Sequence, residues 1–457
     1  MNDKKSVTII GGGIAGLSAA VFLAEKKLKV TLIESSPKLG GRAYSFFDKE
    51  RNQFFDNGQH ILAGWYKNTF EYLKIIGSFD KLNFQNSLEV NFINKEKKIF
   101  KLNCPDAAPP LNLVLGLLKF KAFSLKDKFA LKNINDLFKT GKDYKNKYKN
   151  VHELLTGISQ TDNLIKYFWE PFTLAVFNTG LKNIDVEMFL EIFNLGFREK
   201  VNSNLVIPKV NLNELIVNRA FEYFKNKKVE IVLNKSAEVF NMRDENGINK
   251  LIDYVKLEDG SKVYSDYFIS AVPFFMFKKL FDNENYVKND FHADKLRSSS
   301  IVSVHLFFNR KISDSMIPEN SFGMTGLIGT KVQWIFKRSD SHLSLVISGA
   351  DDLGIKEMEN EEIFRLCLTE LKSTLTGFNE SDVYGYKVIK EKRATFIPDL
   401  ESRKYRPKQV TSYRNLFIAG DWTDTGLPAT IESAVKSAKI CAEEICKMNK
   451  NFYKERN

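Results

Sequence analysis

Three glycines and one carboxylate are the first residues whose types and spacing imply chemistry: Gly11, Gly13 and Gly16, in the pattern G-x-G-x-x-G, and Glu34. The first glycine permits a tight turn, the second lets backbone approach a pyrophosphate, and the third lets a helix pack closely on a strand. A carboxylate at Glu34 can accept hydrogen bonds from a ribose 2′-OH and repels a 2′-phosphate. Gly40 and Gly41 then form a second glycine turn followed by Arg42, a guanidinium able to neutralise a diphosphate. In FFDNGQHILAG, Asp56, Asn57, Gln59 and His60 crowd polar side chains around Gly58, which a chain does at a turn or beside a polar ligand. Near the end, AGDWTDTGLPATI holds Gly420, Asp421, Asp424, Thr430 and Ile431. Asp421 can take sugar or polyol hydroxyls, and a helix starting near Thr430 presents free N–H groups to negative charge.

Elements must hold these groups in place. Val7, Ile9 and Ile10 form the apolar run of a buried parallel strand, a helix begins at the turn, and Lys29 to Glu34 is a second strand. The uncharged stretch from Ser6 to Ala24, preceded by Lys4 and Lys5, would also suit a signal peptide or membrane anchor. The glycines weaken such a helix, and an apolar strand ending in Glu34 follows it, so the nucleotide reading is adopted. The pattern recurs at the far end. Leu416 to Ala419 reads as a strand, Gly420 and Asp421 as a turn, and a helix runs from near Thr430 towards Cys446.

Between these ends, Leu82 to Leu102 is predicted to hold hairpin strands around Asn94 to Lys98. Ala107 to Leu118 is uncharged, with Pro109 and Pro110 suited to a helix start. Lys119, Lys121, Lys126 and Lys128 follow, interleaved with Phe120, Phe123, Leu125 and Phe129. That pattern fits either a segment dipping into one membrane leaflet or a core helix with a solvated face. Asp136 to Asn150, with lysines at 139, 142, 145, 147 and 149, reads as an exposed linker. Leu164 to Thr179 is aromatic-rich and helical on both sides of Pro171, and is core or the wall of a long apolar cavity. Val201 to Asn213 reads as a loop into a helix over Leu212 to Lys225. Val229 to Phe240, Val255 to Asp266 and Tyr267 to Pro273 read as strands, the last returning the chain to the nucleotide sheet. Ile301 to Asn309, Gln333 to Phe336 and Ser344 to Ser348 form a second, antiparallel sheet, with an amphipathic helix over Glu361 to Thr374 and an extended segment over Tyr386 to Pro398. The expected fold class is α/β: a Rossmann-type parallel sheet with helices, interleaved with a domain of mixed or antiparallel sheet plus helices. The first domain takes residues 1–80, 200–295 and 385–457. The second takes 81–199 and 296–384, with a helical insert over 107–179.

A chain of 457 residues that is 43% hydrophobic is globular and large enough for two or three domains. Its net charge of +12 fits nucleic acid, an anionic membrane surface or only a lysine-rich proteome; lysine dominates, without an arginine-rich tail or nucleic-acid motif, which favours the membrane surface over nucleic acid. Cys104, Cys367, Cys441 and Cys446 lack metal spacing and suit a reducing cytosol, and five scattered histidines argue against a histidine-built metal site. The expected location is the cytoplasm, peripheral on the inner face of the cytoplasmic membrane.

The order of glycine turn, LGGR, FFDNGQH and AGDWTDTGLPATIESAV resembles the flavin amine-oxidase and carotenoid-desaturase superfamily over essentially the whole chain. DNGQHILAGWY, the APPLNL helix start, FWEPFTLAVFNT and GDWTDTGLPATIESAV are similar to its squalene-associated branch, the hydroxysqualene dehydroxylases of hopanoid biosynthesis. The resemblance implies non-covalent FAD. Gly11, Gly13, Ala15, Gly16 and Glu34 would hold the ADP half, Gly40, Gly41 and Arg42 the diphosphate, and Ala237 the adenine by backbone. Gly420 and Asp421 would hold diphosphate and ribitol, Thr430 and Ile431 amides would meet the flavin, and Gly58, Gln59 and His60 would lie along it. Trp169, Phe172 and Phe177 would line the cavity for an isoprenoid lipid. The expected reaction is reductive removal of the hydroxyl of hydroxysqualene, with His60 and Asp56 as acids and Asp424 behind them. A phytoene desaturase is the alternative, followed by an amine oxidase or a non-catalytic FAD-binding partner. Amine oxidases of this fold place an aromatic cage before the final helix, and Asp424 to Ile431 contains no aromatic.

Overall fold

The computed structural model describes residues 4–138, 143–245, 249–281, 291–318 and 322–454. Its centre is a five-stranded parallel sheet. Ser6–Ile10 pairs with Lys29–Ile33 on one side and with Tyr267–Ser270 on the other. Glu230–Val232 and Leu416–Ile418 form the two edges. Val7, Ile9, Leu32 and Ile269 are buried, as a sheet covered on both faces requires. The opening helix, Ile14–Glu25, is apolar all round and almost wholly buried because it packs between this sheet and the closing helix, Ile431–Lys454. That packing accounts for the uncharged stretch at Ser6 to Ala24.

The second sheet has seven strands in the order Val383–Phe396, Ser298–Phe308, His342–Ser348, Trp334–Ser339, Met324–Ile328, Glu89–Asn94 and Ile99–Asn103. It is mixed: Met324–Ile328 runs parallel to Glu89–Asn94, which joins the early hairpin to the later strands. Helix Asn360–Thr374 covers one face with Ile363, Cys367 and Leu371.

Several local expectations need correction. The loop predicted over Val201 to Asn213 contains a strand, Leu205–Pro208, paired with Leu62–Ala63 and Leu82–Phe84. The strand predicted over Val229 to Phe240 is two strands. The first, Glu230–Val232, lies in the parallel sheet; the second, Ala237–Glu245, lies in an antiparallel sheet with Asn249–Leu257 and Lys262–Tyr264. The break comes at Asn234, whose φ of 57° is left-handed and tolerable to asparagine. In the lysine-rich stretch, Leu131–Phe138 is a 3-10 helix with Leu137 buried, and Tyr144 is buried at the start of a helical turn, so this part is anchored. Lys139 and Lys142 lie outside the described residues. Asp162 to Phe177 is one helical run in which the π-helical turn Ile165–Trp169 carries the chain through Pro171.

Candidate active site

The first glycine turn is closed around its own backbone. Gly11 has φ of 107°, and a Cβ there would lie 2.8 Å from the Ala271 carbonyl oxygen. A Cβ at Gly16 would sit 1.8 Å from the Gly11 carbonyl oxygen, so the helix can approach the strand only without one. Gly13 caps the opening helix without any side-chain hydrogen bond, leaving the first-turn N–H groups, including that of Ala15, directed out of the helix end. The second turn abuts the first through a bridge between Gly13 and Gly40. Glu34 sits at the lip: its Oε2 accepts from the Gly12 N–H at 2.6 Å and its Oε1 from the Ser36 N–H at 2.8 Å. The chain passes here again at Lys235, whose N–H donates to the Glu34 carbonyl at 3.1 Å, two residues before Ala237.

Arg42 ties the opening turns to the closing motif. Its Nη2 donates to Asp421 Oδ1 at 2.5 Å and its Nη1 to the Ala394 carbonyl at 2.7 Å. Burial opposes its charge, but Asp421 and Glu391 outweigh that and leave its pKa raised. The loop at Asp421 to Thr425 is wrapped around Arg406, a residue to which the sequence pattern gives no pointer. The buried guanidinium donates to the Trp422 carbonyl at 3.3 Å, to the Asp421 carbonyl at 3.4 Å, and to the Thr423 carbonyl. Burial pushes its pKa down to about 10. Thr430 Oγ1 then accepts from the Ser433 N–H at 3.1 Å, which starts the closing helix.

His60 lines an apolar cavity at the point where the two helix starts meet, with Ile14 from the opening helix and Ile431 from the closing one. Leu62, Tyr72, Leu212 and Ile216 supply further walls, and no carboxylate is among the lining residues. His60 Nδ1 lies 2.9 Å from the Gly58 carbonyl. A carbonyl only accepts, so Nδ1 carries the proton and Nε2 is left as an acceptor. Burial lowers the His60 pKa, with the Gly58 contact and the Asp56 charge acting the other way.

The other two candidate acids are placed differently. Asp56 Oδ1 accepts from Ser45 Oγ at 2.7 Å and from the Leu212 N–H at 3.0 Å, where a helical segment begins. Asp424 is exposed and does not line the cavity with His60. Gly58 and Gln59 face a separate polar pocket rather than this one. Trp169 and Phe177 are wholly buried in an aromatic cluster with Phe189, Phe193 and the half-buried Phe172. Trp169 Nε1 donates to Gln160 Oε1 at 3.0 Å.

The cradle fits FAD. It has turns that a Cβ would fill, two helix starts that meet beside His60, and carboxylates at Glu34 and Asp421 beside the two strand-to-helix turns. A family model described as flavin containing amine oxidoreductase matches residues 14–446. A hydroxysqualene dehydroxylase from Zymomonas mobilis is 28% identical over 451 residues, covering 96% of this chain and 98% of that protein. A 15-cis-phytoene desaturase from an Oncidium hybrid cultivar is 25% identical over 460 residues, covering 96% of this chain and 77% of that protein. Among solved structures, an oxidoreductase from Methanosarcina mazei shares the fold with a TM-score of 0.71 at 16% identity, covering 96% of this chain and 100% of that one.

Proposed function

The chain belongs to the flavin containing amine oxidoreductase family and is an FAD-dependent oxidoreductase, and we propose that its reaction is the reductive dehydroxylation of hydroxysqualene to squalene and water. The observation that carries this reading is the closing motif, which offers no aromatic cage to hold an amine. Trp422, the one aromatic of the closing motif, is buried and donates its Nε1–H to the Val272 carbonyl at 3.0 Å. The full-length likeness to a hydroxysqualene dehydroxylase supports the same substrate class.

Gly11, Gly13, Gly16 and Glu34 would hold the ADP half of FAD, Arg42 the diphosphate, Asp421 the ribitol, and the start of the closing helix the ring. When bound, FAD supplies the two-electron chemistry. The chain's own residues exclude water and place the alcohol. His60, whose Nδ1 donates to the Gly58 carbonyl, would offer Nε2 to the substrate hydroxyl. Burial holds the His60 pKa down, with the Gly58 contact and the Asp56 charge opposing it; once protonated, His60 can donate to the departing oxygen. Two electrons and two protons convert the alcohol to hydrocarbon and water. The opposite sense, removal of hydrogen from a polyene, is supported by the likeness to a phytoene desaturase.

The lipid would arrive from a membrane surface. Leu125 is 76% and Phe129 74% exposed, with Leu111 and Leu118 exposed on the preceding helix and Lys119, Lys121 and Lys126 among them. No described helix is long and apolar enough to cross a membrane, so this face would bind peripherally. The test of the site is His60→Gln. FAD content should be unchanged and kcat on hydroxysqualene should fall about 100-fold. Unchanged kcat would remove His60 from the mechanism.

A further inference from the structure

Arg406 is a full charge buried where a neutral group would serve. It is 6% exposed, and its guanidinium donates only to uncharged partners: the Trp422 carbonyl at 3.3 Å, the Asp421 carbonyl at 3.4 Å, the Thr423 carbonyl and Thr425 Oγ1 at 3.4 Å. Its Cζ lies 4.5 Å from the centre of the Phe396 ring. Bracing this loop does not require a charge. The neighbouring Gln409 amide braces it too, donating to Thr423 Oγ1 at 2.9 Å and to the Asp424 carbonyl at 3.0 Å. Burying a cation costs far more than burying an amide, so the charge itself needs a role.

The charges around Arg406 do not cancel it. The Asp421 carboxylate is engaged by Arg42, whose Nη2 donates to it at 2.5 Å. Asp185 and Glu187 pair with Arg403 at 3.1 Å and 2.6 Å, and Glu191 lies 3.9 Å from the same guanidinium. Asp424 and Glu191 also act on Arg406, but both are exposed and screened by water. With its pKa at about 10, Arg406 keeps its proton at neutral pH. Asp421 is held at both ends, its carboxylate by Arg42 and its carbonyl by Arg406. That carbonyl also accepts from Ser433 Oγ at 3.0 Å, and Thr425 Oγ1 lies 2.7 Å from the same hydroxyl. Ser433 stands in the first turn of the closing helix, so Arg406 backs both the loop and the helix start that would face the flavin ring.

We propose that Arg406 sets the reduction potential of the bound flavin, acting across the closing loop as a fixed positive charge and not only as a brace. Reduction by two electrons and one proton adds one negative charge to a flavin ring, and a nearby charge tunes that equilibrium. A buried cation one loop away favours the reduced form, in the same sense as the helix start. Its charge is worth about tenfold in the reduction equilibrium. This role rests on the closing motif holding the flavin end of FAD, and is independent of the direction in which the reaction runs.

The experiment reduces FAD-saturated holoenzyme anaerobically with dithionite beside a reference dye and reads the two-electron midpoint potential. Arg406→Gln keeps a donor but loses the charge, and its potential should fall by about 30 mV, a tenfold change in the equilibrium constant. Arg406→Lys keeps the charge but loses the fork. Its buried ammonium gives up a proton at lower pH than a guanidinium does. Its potential should therefore match that of the unsubstituted protein at pH 6 and fall below it at pH 9. This second comparison removes the charge without altering the fold, and decides the matter if Arg406→Gln does not hold FAD. An unchanged potential in Arg406→Gln, equal shifts in the two variants at pH 6, or an Arg406→Lys potential that parallels the unsubstituted protein up to pH 9 would leave Arg406 a brace and overturn the proposal. Asp421→Ala separates the premise from the proposal, because it should weaken FAD binding whatever Arg406 does. Unchanged FAD affinity in Asp421→Ala would overturn the placement of the flavin end and the role of Arg406 with it.

Discussion

Glu432 stands in the first turn of the closing helix, yet its oxygens serve the start of another helix. It accepts from Asn68 N–H at 3.0 Å, Asn68 Nδ2 at 2.7 Å, Thr69 N–H at 2.8 Å and Thr69 Oγ1 at 2.7 Å. Burial raises its pKa against those four donors. Glu432→Gln keeps the shape but turns an NH2 towards two of the donors, so it should destabilise the protein by ~1–3 kcal/mol, read as a lower urea midpoint. An unchanged midpoint would show that the four contacts contribute nothing net. This residue was invisible in the sequence because its partners lie far away along the chain. The same holds for Arg406 and the loop it braces. Gly16 and Glu34 were legible because their requirements are local: a helix touching a strand, and a carboxylate at a strand end. Asp56 was half legible. Its polar company was plain, but not the Leu212 amide that engages it.

The pair His305 and His342 belongs to two neighbouring antiparallel strands, Ser298–Phe308 and His342–Ser348, whose register sets His305 against Ser344 and Phe307 against His342. Burial pushes His305 down to about 4 and His342 down to about 3. Unfolded histidine titrates near ~6.5, so between these values the unfolded chain binds more protons than the folded one. Stability is therefore full above about pH 6.5 and falls as pH drops towards the folded values. Urea midpoints measured from pH 7 to pH 4 should decline, and His342→Gln should flatten that decline; an equal slope in both proteins would contradict the assignment. At this scale the parallel sheet was readable, since short apolar runs next to glycine turns leave few alternatives. Leu205–Pro208 was not, because four residues between polar neighbours show no period. The interruption at Asn234 was also hidden, since asparagine accepts a left-handed φ without announcing it.

The whole molecule brings two strand–turn–helix units, far apart in the sequence, to one apolar cavity and leaves Leu125 and Phe129 exposed among lysines. Vesicles containing an anionic lipid should bind the protein, and the double substitution Leu125→Glu, Phe129→Glu should abolish that binding while FAD content stays unchanged. Co-sedimentation reads both, and equal binding by the variant would place the contact elsewhere. The order of motifs made the cofactor and the family legible from end to end. The direction of the reaction was not, because dehydroxylation and desaturation ask for the same cradle and a similarly apolar cavity. It is decided by mixing anaerobically reduced holoenzyme with hydroxysqualene and following flavin absorbance together with the lipid product. The account predicts that the flavin reoxidises as squalene appears in matching amount. A flavin that stays reduced with hydroxysqualene, while oxidised enzyme bleaches on mixing with phytoene, would contradict it.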